Sequence, residues 1–515
     1  MESIFWGAVL RICQASVTAS PFVLTGLFVA GILRRLLGHD KTRRLYGGGS
    51  TRSLFVAWLI GMLLPVCSLG VIPVIRQMKK SAISGGTILA FALSAPLFNP
   101  LSLLYGLTLS KPATIFIFSI LSLIVITVAG LLWDRLCGGQ PEITADEPEI
   151  PAGASRILAV LVHSAREMGG GSLGYMLAGL AGVGLLSTML PIGSLQSDMG
   201  HDNIYAPLIM TAVALPAYAS PMTAMGQLGS MFQHGNSIGA AFILLTFGAG
   251  MNLGLIWWMS RSYGLKSTGV WVSLLLAVVL ILSYAIERPL YPKDAEPANH
   301  THAFDIYCQP FDRGAGDLPA SVWRKLKQDT QPYERVSLQI VGLLFLAGAA
   351  LNIFDRNQRL EAWLGRPNAM GAKSRLNFNV PGPVLGLVAL LCIVAISIVG
   401  CFAYYPDEKE CLEELKIARV EAFSGALSGN HNQVARWIPI CEDWLRRLQV
   451  GVYLRNGSLS DYHRARARVF QHYLELVEHE VEEGDKEHIR KLLAKANKSA
   501  VHLHTAFIDE KQPNN

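Results

Sequence analysis

Apolar residues along the chain gather in ten blocks, roughly 18–37, 53–80, 83–110, 112–133, 171–191, 204–234, 236–260, 268–286, 336–353 and 381–404. Most approach the ~20 residues that cross the hydrocarbon core of a bilayer. Blocks of this length and number predict an all-α polytopic membrane protein.

Some blocks are interrupted. Residues 64–100 read LPVCSLGVIPVIRQMKKSAISGGTILAFALSAPLFNP, with Pro65, Pro73, Pro96 and Pro100 among Gly70, Gly85 and Gly86. Each break strips backbone N–H and C=O groups of helical partners, and hydrocarbon cannot satisfy them. Such segments persist where protein or a cavity covers them, which in transporters is often the substrate site. Cys67 sits on the first break and Asn99 on the second.

The later half echoes this pattern. Leu215–Pro216–Ala217–Tyr218–Ala219–Ser220–Pro221 parallels Leu64–Pro65–Val66–Cys67–Ser68–Leu69–Gly70, and Gly239 precedes Asn252 by the interval that separates Gly86 from Asn99. The structural breaks are therefore expected at Pro65, Gly70, Pro73, Pro96 and Pro100, and again at Pro216 and Pro221. Charge adds direction. Arg34, Arg35, Lys41, Arg43, Arg44 and Arg52 precede block 53–80, and Arg76, Lys79 and Lys80 close it. Both flanks thus read as cytoplasmic by the positive-inside rule, which makes the block a re-entrant hairpin with its tip at 65–70. Block 204–234 lacks Lys and Arg at both ends, so its hairpin enters from outside. Two inverted repeats follow; the competing reading is coincidence, since Pro and Gly are common in spans.

The remaining chain divides by the same rules. Residues 1–137 form the first repeat and 171–286 the second. Between them, 138–170 hold a cytoplasmic Pro- and acid-rich linker and an amphipathic interfacial helix. Residues 287–335 make an external His- and Cys-containing loop, and 336–404 two additional spans. Residues 405–515 form an external soluble helical domain of four helices, turned at Gly429–Asn430, Asn456–Gly457 and Gly484. Arg34 and Arg35 follow the first block while Glu2 precedes it, the reverse of a cleaved leader. The N-terminus and the C-terminal domain are thus expected outside a cytoplasmic membrane.

Composition narrows the chemistry. Only 16% of residues are charged, against about 25% in soluble proteins. The net charge of +6 sits in loops flanking the spans and calls for no nucleic acid. The eight cysteines show no CxxC; a Cys411–Cys441 bridge is one pairing open to the external domain. Cys67 offers a thiolate to a soft metal or metalloid, or a small apolar side chain to packing. Ser68, Asn99, Tyr218 and Asn252 either line a substrate path with it or satisfy broken backbone. No Asp or Glu lies between Ser53 and Trp133 or between Asn203 and Ile286. That suits a neutral or soft solute better than a hard cation, which wants several anionic oxygens. Outside, His300, His302 and Cys308 form a candidate metal set, or simply a solvated loop. No catalytic set, phosphate loop or cofactor motif is present, so no enzyme is expected.

The stretch 65–100 resembles predicted permeases of the ArsP/YraQ type, whose motif runs Pro-Val-Cys-Ser-Cys-Gly, then Pro, Gly-rich residues and Ala-Pro-x-x-Asn-Pro. The matching positions are Pro65, Val66, Cys67, Ser68, Gly70, Pro73, Gly85, Pro96, Asn99 and Pro100. The likeness covers roughly residues 15–290. It implies an inner-membrane permease associated with efflux of trivalent organoarsenicals or of metals such as copper or zinc. The family's second cysteine is Leu69 here, so a two-thiol grip is lost. The expected function is a secondary efflux permease for a soft metal or metalloid species, in contact with lipid and with an external protein partner for the tail. The rival is a membrane anchor that transports nothing and presents the external domain.

Overall fold

The structure, a computed structural model, describes residues 2–47, 51–109, 112–138, 155–191, 193–195, 197–291, 302–311, 317–365, 381–483 and 486–508. All regular elements among them are helical. In chain order they are α1 (Glu2–Ile32), a π-helical turn (Leu33–Leu37), α2 (Gly38–Tyr46), α3 (Thr51–Leu63), α4 (Val71–Lys80), α5 (Gly85–Leu97), α6 (Pro100–Leu109) and α7 (Pro112–Leu136). Next come α8 (Ser155–Arg166), a second π turn (Glu167–Gly171), α9 (Leu173–Met189), α10 (Ala206–Ala214), α11 (Pro221–Gln233), α12 (Ile238–Ile243), a third π turn (Leu244–Ala249), α13 (Leu253–Tyr263) and α14 (Leu265–Leu290). The remainder are α15 (Leu318–Asp329), α16 (Pro332–Phe354), α17 (Arg359–Gly365), α18 (Gly382–Tyr404), α19 (Glu408–Ser428), α20 (His431–Asn456), α21 (Asp461–Glu483) and α22 (Lys486–Ile508).

Among the described residues five helical stretches are long and apolar enough to cross a membrane, and three broken pairs raise the number to eight if each pair is one span. The broken pairs follow from sequence. Helix α5 starts behind Ser84, whose hydroxyl accepts the Thr87 N–H, and ends at Phe98 in extended backbone. Two of the expected break positions need correction. Pro96 lies inside α5, which runs on to Leu97, and the break falls at Phe98–Asn99. Pro73 is the third residue of α4; there its missing N–H has no helical acceptor to lose.

Two further differences concern the helix ends. The first helix begins at Glu2, sixteen residues ahead of its apolar block. Those early turns are held by packing rather than by hydropathy: Leu10 is buried with Phe311, Leu318 and Val322, and Trp6 packs on them. The amphipathic stretch 155–166 is helical; Ile157, Leu158 and Leu161 stay exposed, and the opposite side packs on protein. Ala159 and Val162 meet Leu364, and Val160 meets Ile32 and Leu36. Through the second π turn it joins α9 with a 58° bend.

The chain forms two compact units, residues 1–103 with 113–397 and residues 104–112 with 398–515. In the first, α1 packs on α4, α8, α9 and α16. Paired charges fasten one end of it. Arg35 and Glu361 are both buried and 2.7 Å apart, and Arg166 reaches Asp355 at 2.7 Å. Buried charges persist only when paired. In the second unit α19–α22 enclose a core that includes Leu415, Phe423, Leu445, Phe470, Leu474 and Leu503. Helix α19 is capped by Asp407 and stopped by Gly429 in the left-handed conformation, and Gly457 does the same for α20; Gly484 lies outside the described residues.

Cys411 and Cys441 are buried free thiols in that core. Counting from the α19–α20 turn, Cys441 stands opposite residue 418, seven residues along α19 from Cys411. At 1.5 Å per residue the offset is about 10 Å, beyond the reach of a disulfide.

Candidate functional site

The first break runs from Leu64 to Gly70, between α3 and α4. Its backbone turns on itself: Val66 donates to the Leu64 carbonyl at 2.8 Å, and Val71 to that of Cys67 at 2.8 Å. The Gly70 N–H donates to the Cys67 sulfur at 3.4 Å. The second break runs from Leu215 to Ser220, between α10 and α11. Ser220 caps α11 by accepting the Thr223 N–H, and Ala219 donates to the Gly248 carbonyl of the third π turn at 2.9 Å. Each break is sealed by a glycine. A Cβ on Gly26 of α1 would stand 1.9 Å from the Gly70 carbonyl oxygen, and one on Gly182 of α9 1.9 Å from that of Pro216. Only glycine permits backbones to approach this closely.

These walls bring the sequence-derived residues together. Cys67 and Tyr218 share one buried cluster with Ala19, Val23, Met176, Leu180 and Val183, and the Tyr218 hydroxyl lies against the Cys67 thiol. Gly179 of α9 touches both Leu69 and the Asn252 side chain, so Asn252 stands beside the first break. Ser68 is the next residue along. Asn99 occupies the equivalent place after α5; its side-chain hydrogen bond is local, to Ser102.

All five residues are buried, with Tyr218 the most accessible at 2%. The Asn99 Oδ1 accepts the Ser102 N–H at 2.8 Å and caps α6; the Asn252 Oδ1 accepts the Leu255 N–H at 2.9 Å and caps α13. Yet the Nδ2 of both and the Ser68 hydroxyl have no hydrogen-bond partner, while the Tyr218 hydroxyl has the Cys67 thiol beside it. A buried polar group left unpaired costs about 1–3 kcal/mol. Ser68, Asn99 and Asn252 carry such groups at three helix breaks, 64–70, 98–99 and 251–252.

A cavity of about 200 Å³ adjoins Tyr218. Ala219, Ser220, Thr223 and Thr18 line its inner part, and Arg11, Gln14, Asp329 and Glu334 its other end. Arg11 is held by the carbonyls of Cys308 and Asp305 and by Gln14. Ile306 of the segment 302–311 lines the cavity as well.

The candidate metal set is not assembled among the described residues. His300 lies outside them, nothing is described of the His302 side chain, and no group of three or more His, Cys, Asp or Glu forms a metal cage. Cys308 is buried, its thiol close to the Phe304 carbonyl at 3.5 Å. Burial and Asp305 push that thiol up to about 11.

Three carboxylates lay just beyond the windows that the sequence marks as acid-free. Asp134 accepts the Gly86 N–H at 2.7 Å, at the start of α5. Glu287 accepts the Ser237 hydroxyl and the Gly239 N–H at 2.7 Å each, at the start of α12. Glu167 is buried between Arg76, Lys80, Gln77 and Ser172. The one signal for the first two is spacing, since each follows its glycine by the same interval.

The arrangement defines a multi-pass helical membrane protein with broken helices that bury polar side chains. A family model described as predicted permease, ArsP_1, matches residues 6–288, and the chain belongs to that family. It is 23% identical to the UPF0718 protein YcgR of Bacillus subtilis (strain 168) over 276 residues, 52% of this chain and 92% of the relative. Over 87 residues, 17% of this chain and 29% of the relative, it is also 23% identical to a protein of Streptococcus mutans serotype c whose name describes a two-component membrane permease complex subunit. No solved structure matches the chain at a significant level.

Proposed function

We propose that the chain is a secondary permease that exports a small solute across a cytoplasmic membrane. The solute passes between two inverted repeats, 1–137 and 171–286, whose breaks supply Cys67, Ser68, Tyr218 and Asn252 from one side and the other, with Asn99 further along. The observation that carries this reading is the set of buried polar atoms without partners on Ser68, Asn99 and Asn252, with the Cys67–Tyr218 pair joining the two breaks. A plain structural core would pair them or replace them with carbon.

The cavity beyond Tyr218 is the outward vestibule, and Ile306, Leu326, Asp329, Thr330 and Glu334 of the external segment 287–335 line it. The helical domain 405–515 stands outside and receives a protein partner. Two solute classes come with the family resemblance, trivalent arsenicals and copper- or zinc-like metals. With Leu69 in place of the family's second cysteine, a two-thiol grip is lost for either class, and Cys67 is the one thiol on the first break.

The test is Cys67→Ala in a sensitised host challenged with a trivalent arsenical. Loss of protection with normal membrane insertion supports a transport role for the thiol. Protection equal to wild type makes it a packing residue.

A further inference from the structure

The geometry points to a solute recognised through oxygen acceptors, a small oxyacid or its anion rather than a bare metal cation. This rests on the permease reading and narrows the chemistry of the same site.

The orientation of the two amides is fixed by their other halves. Asn99 and Asn252 each spend Oδ1 on a backbone N–H at the start of a helix. Flipping either amide would set N–H against N–H, so the NH₂ half is the end left without a partner. Each NH₂ is buried and unpaired, and so is the Ser68 hydroxyl. The free valences are therefore donors, or hydroxyls able to donate.

The backbone agrees. Helices α4, α6, α11 and α13 all begin at the breaks. Their positive dipole ends favour negative charge nearby, with the Ser102, Thr223 and Leu255 N–H groups already taken by caps. Three acceptors that a cation could use are engaged or covered. The Cys67 sulfur accepts the Gly70 N–H and abuts Tyr218. The break carbonyls of Gly70 and Pro216 are shut off by Gly26 and Gly182. No carboxylate is hydrogen-bonded to any of the five residues among those described. A cation here would meet donors and dipoles of the wrong sign.

Asn252→Asp separates the two classes. It keeps the shape and the capping oxygen, and it replaces the donor with an anionic oxygen. The full-length protein is reconstituted in liposomes and offered arsenite, sulfate and phosphate as oxyacid probes, with Cu⁺ and Zn²⁺ as cation probes. At least one oxyacid probe should enter with wild type and slow by about tenfold or more in Asn252→Asp, the loss of one hydrogen bond to a charged group. Ser68→Ala touches no cap and should slow the same probe by a smaller factor, which guards against a misfolded first variant. Carriage of Cu⁺ or Zn²⁺ that Asn252→Asp leaves equal or faster overturns the inference while sparing the permease reading. Passage of none of the five probes through correctly inserted wild type counts against both.

Discussion

In the first half of the molecule α5 starts behind Ser84 and takes the Asp134 carboxylate at the Gly86 N–H; in the second, α12 starts behind Ser237 and takes Glu287 at the Gly239 N–H. Ser84 and Ser237, Gly86 and Gly239, Asn99 and Asn252, Asp134 and Glu287 all stand 153 residues apart. The breaks keep looser time: Pro65 and Pro216, like Cys67 and Tyr218, are 151 apart. What repeats is the scaffold of caps, close-packed glycines and the amide after the bend. What changes is the residue two places past the break proline, a thiol in one half and a phenol in the other. Helix starts admit few solutions, whereas a binding surface need only be complementary to its ligand. On the proposed reading, one scaffold used twice presents a thiol from one half and a phenol from the other.

The comparison breaks most severely where the two halves are sealed. Gly26→Ala and Gly182→Ala each drive a methyl into a break carbonyl 1.9 Å away. Both should abolish folded protein, read as the loss of the monodisperse peak in detergent chromatography. If one half tolerates the change, the two seals are not equivalent. The carboxylate caps should differ by degree. Glu287→Ala removes contacts to Ser237, Ile238 and Gly239, and Asp134→Ala a contact to Gly86. Charge-assisted bonds of this kind are worth about 1.5–3 kcal/mol, so both variants should melt lower and Glu287→Ala lower still. Equal shifts would mean that the carboxylates are held by something other than these bonds.

The smallest effect contrasts the two compact units. Burial pushes the Cys411 and Cys441 thiols up to about 12, from an ordinary value near 9.0. A group whose folded value is raised favours folding below the unfolded value and loses that contribution as pH rises towards the folded one. The α19–α22 unit should therefore lose stability between about pH 9 and 12, and Cys411→Ala with Cys441→Ala should flatten that slope. Helix content against pH reads it. An unchanged slope in the double variant would assign the alkaline loss to other groups.

Much of the fold was legible because hydrophobic blocks and helix breakers report directly on backbone requirements in lipid. Pro65, Pro216 and Pro221 fall at breaks, and the Gly–Asn interval marks the bent helices. The same reasoning misplaced Pro96, because a proline near a helix end removes one hydrogen bond without stopping the chain. It missed the first turns of α1, since Trp6 and Leu10 are ordered by Phe311 and Leu318 from 300 residues away. Of the candidate site, residue types and positions could be read. That the asparagines divide their amides between a cap and an open valence could not, because this depends on where Ser102 and Leu255 point their N–H groups. Asp134, Glu287 and Glu167 sit at the margins of apolar blocks, where charge reads as loop; only their tertiary partners give them meaning.

The central claim is that the two breaks face one solute path from opposite sides. Ser68→Cys and Ala219→Cys, each made in a Cys67→Ala chain, should react with a membrane-impermeant maleimide from opposite faces of an oriented vesicle. Reaction of both positions from one face alone would contradict the account.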